Sequence, residues 1–382
     1  MSLTSSGPKN FILVVLSSLF AVTLFLAFDF VIALVVCSAT RELTPDEKPY
    51  LAKDNGWYEL KRNFSGHNQF GERIYTVHTD NYGFRKKPNS ESVSQHDLIF
   101  LGDSFTFGVH GPWEETFVGM FSDDSGRDAL NAGVGSYSPT PYLHQYKRAL
   151  AASLLSDGHT VVIGIDLSDV QDEAGYWIDG ETHPRKRDEE LAFKKTRRQL
   201  VKSNPIKMFM RDSFPYTTLL YRYIRYNLTA TAEKNTNPKA LTDLPRSAIT
   251  YAEWTDLDKT VPYATPSGYA PLGVKGGLEK LERKLSEIVQ ISRQHDAKDY
   301  FLIYPWPAQI AHTDKFSWSD FVAGMCTRMS CDGVIDTIPH FRRLAQQDES
   351  WLETYFYSWD IHFSKQGNRV VADALLKHIP EK

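Results

Sequence analysis

The stretch that decides the fold is Asp97-Leu-Ile-Phe-Leu-Gly-Asp-Ser-Phe-Thr-Phe-Gly108, in which an apolar run ends on a small polar turn flanked by glycines. The run from Leu98 to Leu101 is short, apolar and bounded by turn residues, which is typical of a buried parallel strand. The residues that follow can open a helix whose first N–H groups face Ser104. The sequence therefore predicts a serine hydroxyl at the carboxyl end of a buried strand, where it is a candidate nucleophile.

A serine nucleophile needs a base and a group that orients this base, because a hydroxyl is weak at its own pKa. The sequence offers both groups far downstream, in Asp360 and His362, just before the last predicted helix. We predict a catalytic triad of Ser104, Asp360 and His362. Taken alone, a serine here is more often a helix cap and a histidine is more often a packed loop residue, so the prediction depends on their combination.

Two motifs resemble the SGNH, or GDSL-type, hydrolase superfamily: Gly102-Asp103-Ser104 after a strand and Asp360-Ile-His362 before a C-terminal helix. Between them, Asn131-Ala-Gly133-Val-Gly135 resembles the second block of this family. The resemblance covers residues 70–175 and 276–380. It implies hydrolysis or transfer of an acyl group in a three-layer, flavodoxin-like α/β fold with a parallel sheet.

The resemblance also implies an oxyanion hole built from Ser104, Gly133 and Ser168. In the family, the second-block glycine donates a backbone N–H, and the third block supplies an asparagine. This chain departs from the family, because Ser168 aligns with that asparagine and is followed by the matching Asp169. A serine reaches less far than an asparagine, so the departure predicts a slow hydrolase unless Asp103, Asp169 or water completes the hole. On their own, Asp166 and Asp169 are interpreted as structural residues.

Strands and helices are predicted to alternate around these blocks. The apolar runs at 98–101, 129–133, 160–167, 300–304 and 334–336 are predicted strands, and the helices predicted between and after them cover 113–121, 141–155, 278–295 and 365–379. This order favours a parallel sheet with right-handed connections, in which ligands bind beyond the carboxyl ends of the strands. Ser104, Gly133 and Ser168 all fall at such ends.

Residues 175–277 interrupt the alternation and are predicted to form a helical or irregular insertion that caps the catalytic domain, residues 71–382. Its basic residues are interleaved with acidic ones, which favours a solvated helix face over an anion site. Its tyrosines 216, 221, 223 and 226 suit core packing or a platform for a sugar ring. Residues 254–271 are rich in proline and aromatics and are predicted to be a loop over the rim of the site.

The N-terminal segment, residues 1–40, is predicted to be a transmembrane anchor. Residues 11–28 carry no charge and residues 31–37 extend the apolar run, whereas a signal peptide needs only about 7 to 15 apolar residues. Cleavage after Ala39 is the alternative. Asp29 suits either an interfacial position or a polar contact with a second membrane protein. Residues 41–70 are predicted to be a tether with a short packed segment.

Net charge, cysteine content and motifs indicate which partners, cofactors and cellular compartment to expect. The chain has 382 residues, and its net charge of −4 gives no reason to expect nucleic acid. Cys326 and Cys331 are close enough in sequence for a disulfide, which favours an extracytoplasmic catalytic domain, periplasmic in a bacterium. The histidines show no pair at metal-ligand spacing, and no phosphate loop or dinucleotide fingerprint is present, so neither a metal nor a cofactor is predicted.

The resulting hypothesis is a membrane-anchored SGNH-type serine hydrolase that acts on an acylated carbohydrate or another ester. Two alternatives remain open at this point. One is an O-acetyltransferase of an extracytoplasmic polysaccharide that works with a multispanning membrane acyl-transfer partner, as the resemblance to anchored relatives implies. The other is a glycan-binding or assembly protein without turnover.

Overall fold

The computed structural model describes residues 48–53, 56–70, 73–90, 95–180, 182–188, 269–311, 316–357 and 360–380, together with most residues between 13 and 31. The chain divides into two units, Met1–Thr44 with Ala192–Asn237 and Pro45–Leu191 with Pro238–Lys382. In the first unit, the described residues between 13 and 31 are helical. Their large apolar side chains are mostly exposed, whereas Asp29 is buried. Among the residues described, no helix has both the length and the apolar character needed to cross a membrane.

The described elements of the second unit alternate between strands and helices. Its strands are β1 (Tyr50–Ala52), β2 (Tyr58–Leu60), β3 (Ser65–Phe70), β4 (Arg73–His78), β5 (His96–Leu101), β6 (Ala129–Asn131), β7 (Leu155–Ile165), β8 (Trp177–Ile178), β9 (Arg185–Lys186), β10 (Lys298–Ile303) and β11 (Gly333–Asp336). Its helices are α1 (Ser104–Phe107), α2 (Phe117–Ser125), α3 (Pro139–Ala151), α4 (Ser168–Gln171), α5 (Gly273–Gln294), α6 (Pro307–Ala311), α7 (Trp318–Met329), α8 (Ile338–Gln347), α9 (Trp351–Tyr355) and α10 (Lys365–His378).

A five-stranded sheet with the order β11-β10-β7-β5-β6 forms the centre of this unit. All neighbouring strands in it run parallel. Counted in chain order within the sheet, this is the flavodoxin-like order 2-1-3-4-5, which reverses direction beside β5. The predicted α/β class and the flavodoxin-like parallel sheet are therefore confirmed.

The strands are apolar because helices cover both faces of the sheet. Leu98, Ile99, Phe100 and Leu101 in β5 are each at most 1% exposed. Helix α2 packs against α10, and α3 packs against α5, which also contacts α7. Right-handed crossovers assign these two groups to opposite faces, and in sheets of this kind ligands bind beyond the carboxyl ends of the strands.

Residues 41–70, predicted as a tether with a short packed segment, contain strands β1, β2 and β3 from Tyr50 onward. Strands β1 and β2 form an antiparallel hairpin, and β3 pairs with β4. Trp57 and Leu60 belong to the hydrophobic core, at 1% and 2% exposure. The Trp57 ring stacks on Tyr137 with a centroid distance of 5.3 Å. Burial of Trp57 and Leu60 stabilises the docked hairpin, whose strands the mixed polar and aromatic sequence did not specify.

Smaller differences concern the borders of the elements and the insertion. Helix α5 begins at Gly273, earlier than the predicted residue 278, and β7 begins at Leu155 rather than at residue 160. Strands β8 and β9, within the predicted insertion of residues 175–277, form an antiparallel pair. The tyrosines at 216, 221, 223 and 226 and most of the proline-rich loop lie outside the described residues. Cys326 and Cys331 form the predicted disulfide.

Candidate active site

Ser104 lies where the central strand β5 passes into the short helix α1. Asp103 caps this helix, since its Oδ1 accepts a hydrogen bond of 2.9 Å from the Phe105 N–H. The turn requires glycine at position 102, because a Cβ there would lie 2.0 Å from Thr106 Oγ1. The local sequence thus holds the serine at the carboxyl end of β5, as predicted.

The side chains of the three predicted triad residues form one hydrogen-bonded chain. His362 Nε2 lies 2.7 Å from Ser104 Oγ. On the other side of the ring, His362 Nδ1 is hydrogen-bonded to Asp360 Oδ1, which also accepts the backbone N–H of His362 at 3.0 Å. The Phe105 ring packs beside the imidazole with a centroid distance of 4.7 Å. This is the order of contacts in which a histidine can take the serine proton while a carboxylate fixes its tautomer.

The electrostatics keep Asp360 ionised. Burial by itself raises the pKa of this carboxyl, but the hydrogen bonds from His110 and His362 outweigh burial and hold the pKa well below its usual range. A carboxylate that stays charged stabilises the imidazolium formed when His362 accepts a proton.

A second histidine, His110, contacts the same carboxylate and was missed in the sequence. Its Nε2 lies 3.0 Å from Asp360 Oδ2, so each oxygen of Asp360 has an imidazole partner. Nothing in the local sequence indicates this contact, because the two residues are 250 positions apart. The backbone of His110 has a positive φ of 73°, which is uncommon for a residue other than glycine. Such strained backbone conformations cluster at functional sites.

Two of the predicted oxyanion donors are already engaged by acceptors of the protein. The Gly133 N–H donates to Asn131 Oδ1 at 2.9 Å. The Ser168 hydroxyl donates to Asp166 Oδ1 at 2.6 Å, and the Ser168 N–H donates to the same atom at 2.7 Å. Gly133 instead serves packing, since a Cβ on it would lie 2.4 Å from the backbone nitrogen of Phe107 in α1. In this arrangement, neither the Gly133 N–H nor the Ser168 hydroxyl is free to stabilise an oxyanion.

The next glycine of the motif Asn131-Ala-Gly133-Val-Gly135, Gly135, lies beside Ser104. A Cβ built on Gly135 would lie 3.9 Å from Ser104 Cβ. Its carbonyl accepts a hydrogen bond of 2.6 Å from the Tyr58 hydroxyl, which holds the peptide between Gly135 and Ser136. Among the described residues, no acceptor is hydrogen-bonded to the Gly135 N–H. The motif contained this residue, but only the contacts distinguish it from Gly133.

Three carboxyl groups near Ser104 are buried: Asp103, Asp166 and Asp169. Asp103 Oδ1 accepts from the Tyr304 hydroxyl and Asp166 Oδ2 accepts from Trp306 Nε1, both at 2.7 Å. Burial raises the pKa of all three groups, and the charge of Asp166 raises the pKa of Asp103 and of Asp169 further. These contacts agree with the structural role predicted for Asp166 and Asp169.

His110, Asp360 and His362 also offer ligand atoms within 4.8 Å of one another, a spacing that could hold a metal ion. The hydrogen bonds that each histidine makes with one oxygen of Asp360 already account for this arrangement.

Comparisons with known proteins found structural neighbours only. No protein-family model and no curated protein matches the chain. One similar structure is the acetyl xylan esterase AlAXEase, with 14% identity, a TM-score of 0.38 and coverage of 74% of this chain and 99% of that chain. Another is a member of the lipolytic protein G-D-S-L family from Veillonella parvula, with 9% identity, a TM-score of 0.38 and coverage of 74% and 97%. An acetylxylan esterase from Geobacillus stearothermophilus shows 12% identity, a TM-score of 0.37 and coverage of 76% and 96%.

Proposed function

We propose that this protein is an SGNH-type serine hydrolase of ester (O-acyl) bonds, with Ser104 as nucleophile, His362 as general base and Asp360 as the residue that orients the base. The observation that carries this proposal is the hydrogen bond of 2.7 Å between His362 Nε2 and Ser104 Oγ, with the opposite ring nitrogen bonded to Asp360. A packed loop histidine needs neither contact.

In the proposed mechanism, Ser104 Oγ attacks the ester carbonyl carbon while its proton passes to His362 Nε2. The tetrahedral intermediate collapses when the imidazolium returns this proton to the leaving alcohol, and the acyl group remains on Ser104. A water then attacks the acyl-enzyme with His362 again as base, which releases the acid and the free serine. Asp360 stays ionised throughout, because its pKa lies well below neutrality.

The oxyanion donors in this proposal are the backbone N–H groups of Ser104 and Gly135. Gly135 replaces Gly133 because its N–H has no acceptor among the described residues and because it lies beside Ser104. Two backbone donors are enough for an oxyanion hole, and the loss of one donor typically costs about 10² to 10³ in rate.

We further propose that the catalytic unit is extracytoplasmic and that an N-terminal membrane segment anchors it. Two observations support this placement: the Cys326–Cys331 disulfide, a bond that persists in oxidising compartments, and the exposed apolar side chains of the helical residues between 13 and 31. The substrate class that suits such a position is an acylated carbohydrate.

The labelling test uses the full-length protein and an organophosphonate ester. We expect stoichiometric labelling of the wild type, loss of labelling in Ser104→Ala and a loss of at least about 10³-fold in labelling rate for His362→Ala. Ser286→Ala, in helix α5, is the matched control and should label like the wild type. Equal labelling of wild type and Ser104→Ala would disprove the assignment.

The same acyl-enzyme would also serve acyl transfer if a sugar hydroxyl replaced water, which is the chemistry of the O-acetyltransferase with a multispanning partner. The full-length protein is therefore given an activated acetyl ester with and without oligosaccharides, and acetate and acetyl-sugar are followed separately. Acetate formed at a rate independent of the sugar, without acetyl-sugar, supports hydrolysis. Acetyl-sugar formed at the expense of acetate supports transfer, and neither product from a folded protein would favour a non-catalytic glycan-binding role.

A further inference from the structure

His110 occupies a constrained position in the loop between α1 and the short helical turn at residues 113–115. Its side chain is 4% exposed and its backbone has a φ of 73°. A left-handed conformation at a residue other than glycine costs free energy and persists only where the surroundings impose it.

Arg85 imposes that conformation from both sides of the loop. Its guanidinium is buried and donates hydrogen bonds of 2.8 Å to the Gly108 carbonyl and 2.7 Å to the Gly111 carbonyl, with a further bond to the Phe107 carbonyl. Burial lowers the pKa of Arg85 to about 10, so it remains charged at neutral pH. The loop is thus tied down before and after His110, which orients the imidazole towards Asp360.

The surroundings of the ring select one tautomer of His110. Its Nδ1 is buried and has no hydrogen-bond partner among the described residues, so a proton on Nδ1 would be an unsatisfied buried donor. The ring lies against Phe70, Tyr357 and His362, with centroid distances of 4.9, 4.6 and 5.6 Å. Burial among these rings lowers the pKa of His110, in agreement with a neutral ring that carries its proton on Nε2.

We propose that His110 is a positioning residue of the active site, which donates its Nε2–H to Asp360 Oδ2 and so holds Oδ1 towards His362. The inference rests on the proposed function for its catalytic consequence. Asp360 lies on a loop and is 21% exposed. Without a donor on Oδ2, only the contacts of Oδ1 with the His362 backbone N–H and ring would hold the carboxylate, and Oδ2 would be left to water.

The catalytic test compares His110→Phe, which keeps a ring but removes the donor, with His110→Gln, which keeps an N–H donor. For ester hydrolysis by the full-length protein, we expect His110→Phe to lower kcat by about 10- to 100-fold with little change in KM, because misplacement of a catalytic group affects the chemical step. We expect His110→Gln to recover most of this loss. Equal kcat losses in both variants would overturn the proposal.

A double-mutant cycle separates positioning from general packing. In an Asp360→Ala background, His110→Phe should cause no further loss of kcat, because the residue through which His110 acts is gone. A loss of the same size in both backgrounds would show that His110 acts through packing and would overturn the proposal.

A measurement independent of activity tests the contact itself. In ¹⁵N-histidine NMR of the full-length protein, assigned with His110→Gln, the His110 ring should carry its proton on Nε2, and the Nε2 shift should move in Asp360→Ala. A proton on Nδ1, or no response to Asp360→Ala, would overturn the inference. If wild type shows this contact but neither hydrolysis nor labelling, the proposed function fails while the contact stands.

Discussion

At the level of single residues, the site depends on which backbone groups are occupied and which are free. Gly133 and Gly135 stand two positions apart in one motif, yet the first N–H is bound to Asn131 and the second lies beside Ser104 without an acceptor among the described residues. The Ser168 hydroxyl is likewise occupied by Asp166. A serine in place of an asparagine at position 168 therefore does not by itself predict a loss of activity.

This difference between the two glycines leads to opposite expectations for Gly133→Ala and Gly135→Ala. In Gly133→Ala, the new methyl group meets backbone atoms of α1 at 2.4 Å, so we expect a loss of about 1 to 3 kcal/mol in the free energy of unfolding. In Gly135→Ala, the nearest atoms are at ordinary contact distances of 3.5 and 3.9 Å and φ is not positive, so stability should be kept.

Measurements of activity should also distinguish Gly135→Ala from Gly133→Ala. The Gly135→Ala methyl group stands next to Ser104, so we expect kcat/KM to fall by about 10- to 100-fold in a stable protein. Thermal unfolding and ester hydrolysis measured on both variants check the pair. Because alanine keeps the backbone N–H, a stable and fully active Gly135→Ala would argue against a substrate carbonyl bound in the space beside Gly135.

At the level of elements, the candidate active site lies at one end of the sheet, and the disulfide and the buried Asp299 lie at the other end. The triad gathers beyond the carboxyl end of β5, whereas the disulfide joins the end of α7 to the residues before β11, at the amino end of that strand. Asp299 lies near the amino end of β10 and is 2% exposed. Changes at these places should affect stability without affecting catalysis.

For the disulfide, the double variant Cys326→Ser/Cys331→Ser should unfold about 2 kcal/mol more easily, because the bond closes a short loop of sequence separation 5. Its kcat should equal that of the wild type. The third cysteine supplies the control, Cys37→Ser, which should change neither quantity. Denaturant unfolding under oxidising conditions measures the difference, and its absence would show that the bond does not form in solution.

For Asp299, we expect a stability that falls with pH. Burial, followed by the charge of Asp332, raises the pKa of this carboxyl to about 7, against about 3.9 in an unfolded chain. Between these values the unfolded state loses the proton that the folded state keeps, so the stabilisation is complete below about pH 4 and is lost as the pH rises through about 7.

The matched variant Asp299→Asn removes this titration. As the pH rises from about 4 to about 8, the wild type should lose about 2 to 4 kcal/mol of unfolding free energy that Asp299→Asn does not lose. The activity of the variant should equal that of the wild type. Denaturant unfolding at several pH values measures this difference. Parallel curves for the two proteins would contradict the raised pKa.

At the level of the whole molecule, the N-terminal segment, residues 1–40, is predicted to attach the protein to a membrane. We expect the full-length protein to sediment with membranes and to resist extraction by high salt. The double change Leu19→Arg/Phe20→Arg should release it, since each arginine at the centre of a spanning helix costs about 2.5 to 3.5 kcal/mol. The control Lys9→Arg should stay membrane-bound. A mature protein that begins near Thr40 would rule out the anchor.

The sequence by itself determined the central strand, the position of the serine and the identity of the two downstream partners. These features are readable because apolar runs, glycine turns and motif order are local properties of the chain. The alternation of strands and helices predicted a parallel α/β sheet, and the resemblance to SGNH hydrolases implied the flavodoxin-like order that the structure shows.

Only the tertiary structure decided which glycine N–H has no acceptor, that of Gly133 or that of Gly135. It also decided that His110 and His362 both contact Asp360, and that Trp57 and Leu60 belong to the core. Each of these results depends on contacts between residues far apart in the chain. His110 and Asp360 are separated by 250 residues, and Tyr58 is separated by 77 residues from the Gly135 carbonyl that it holds. Local pattern contains no information about such pairs, because they form only when packing brings their elements together.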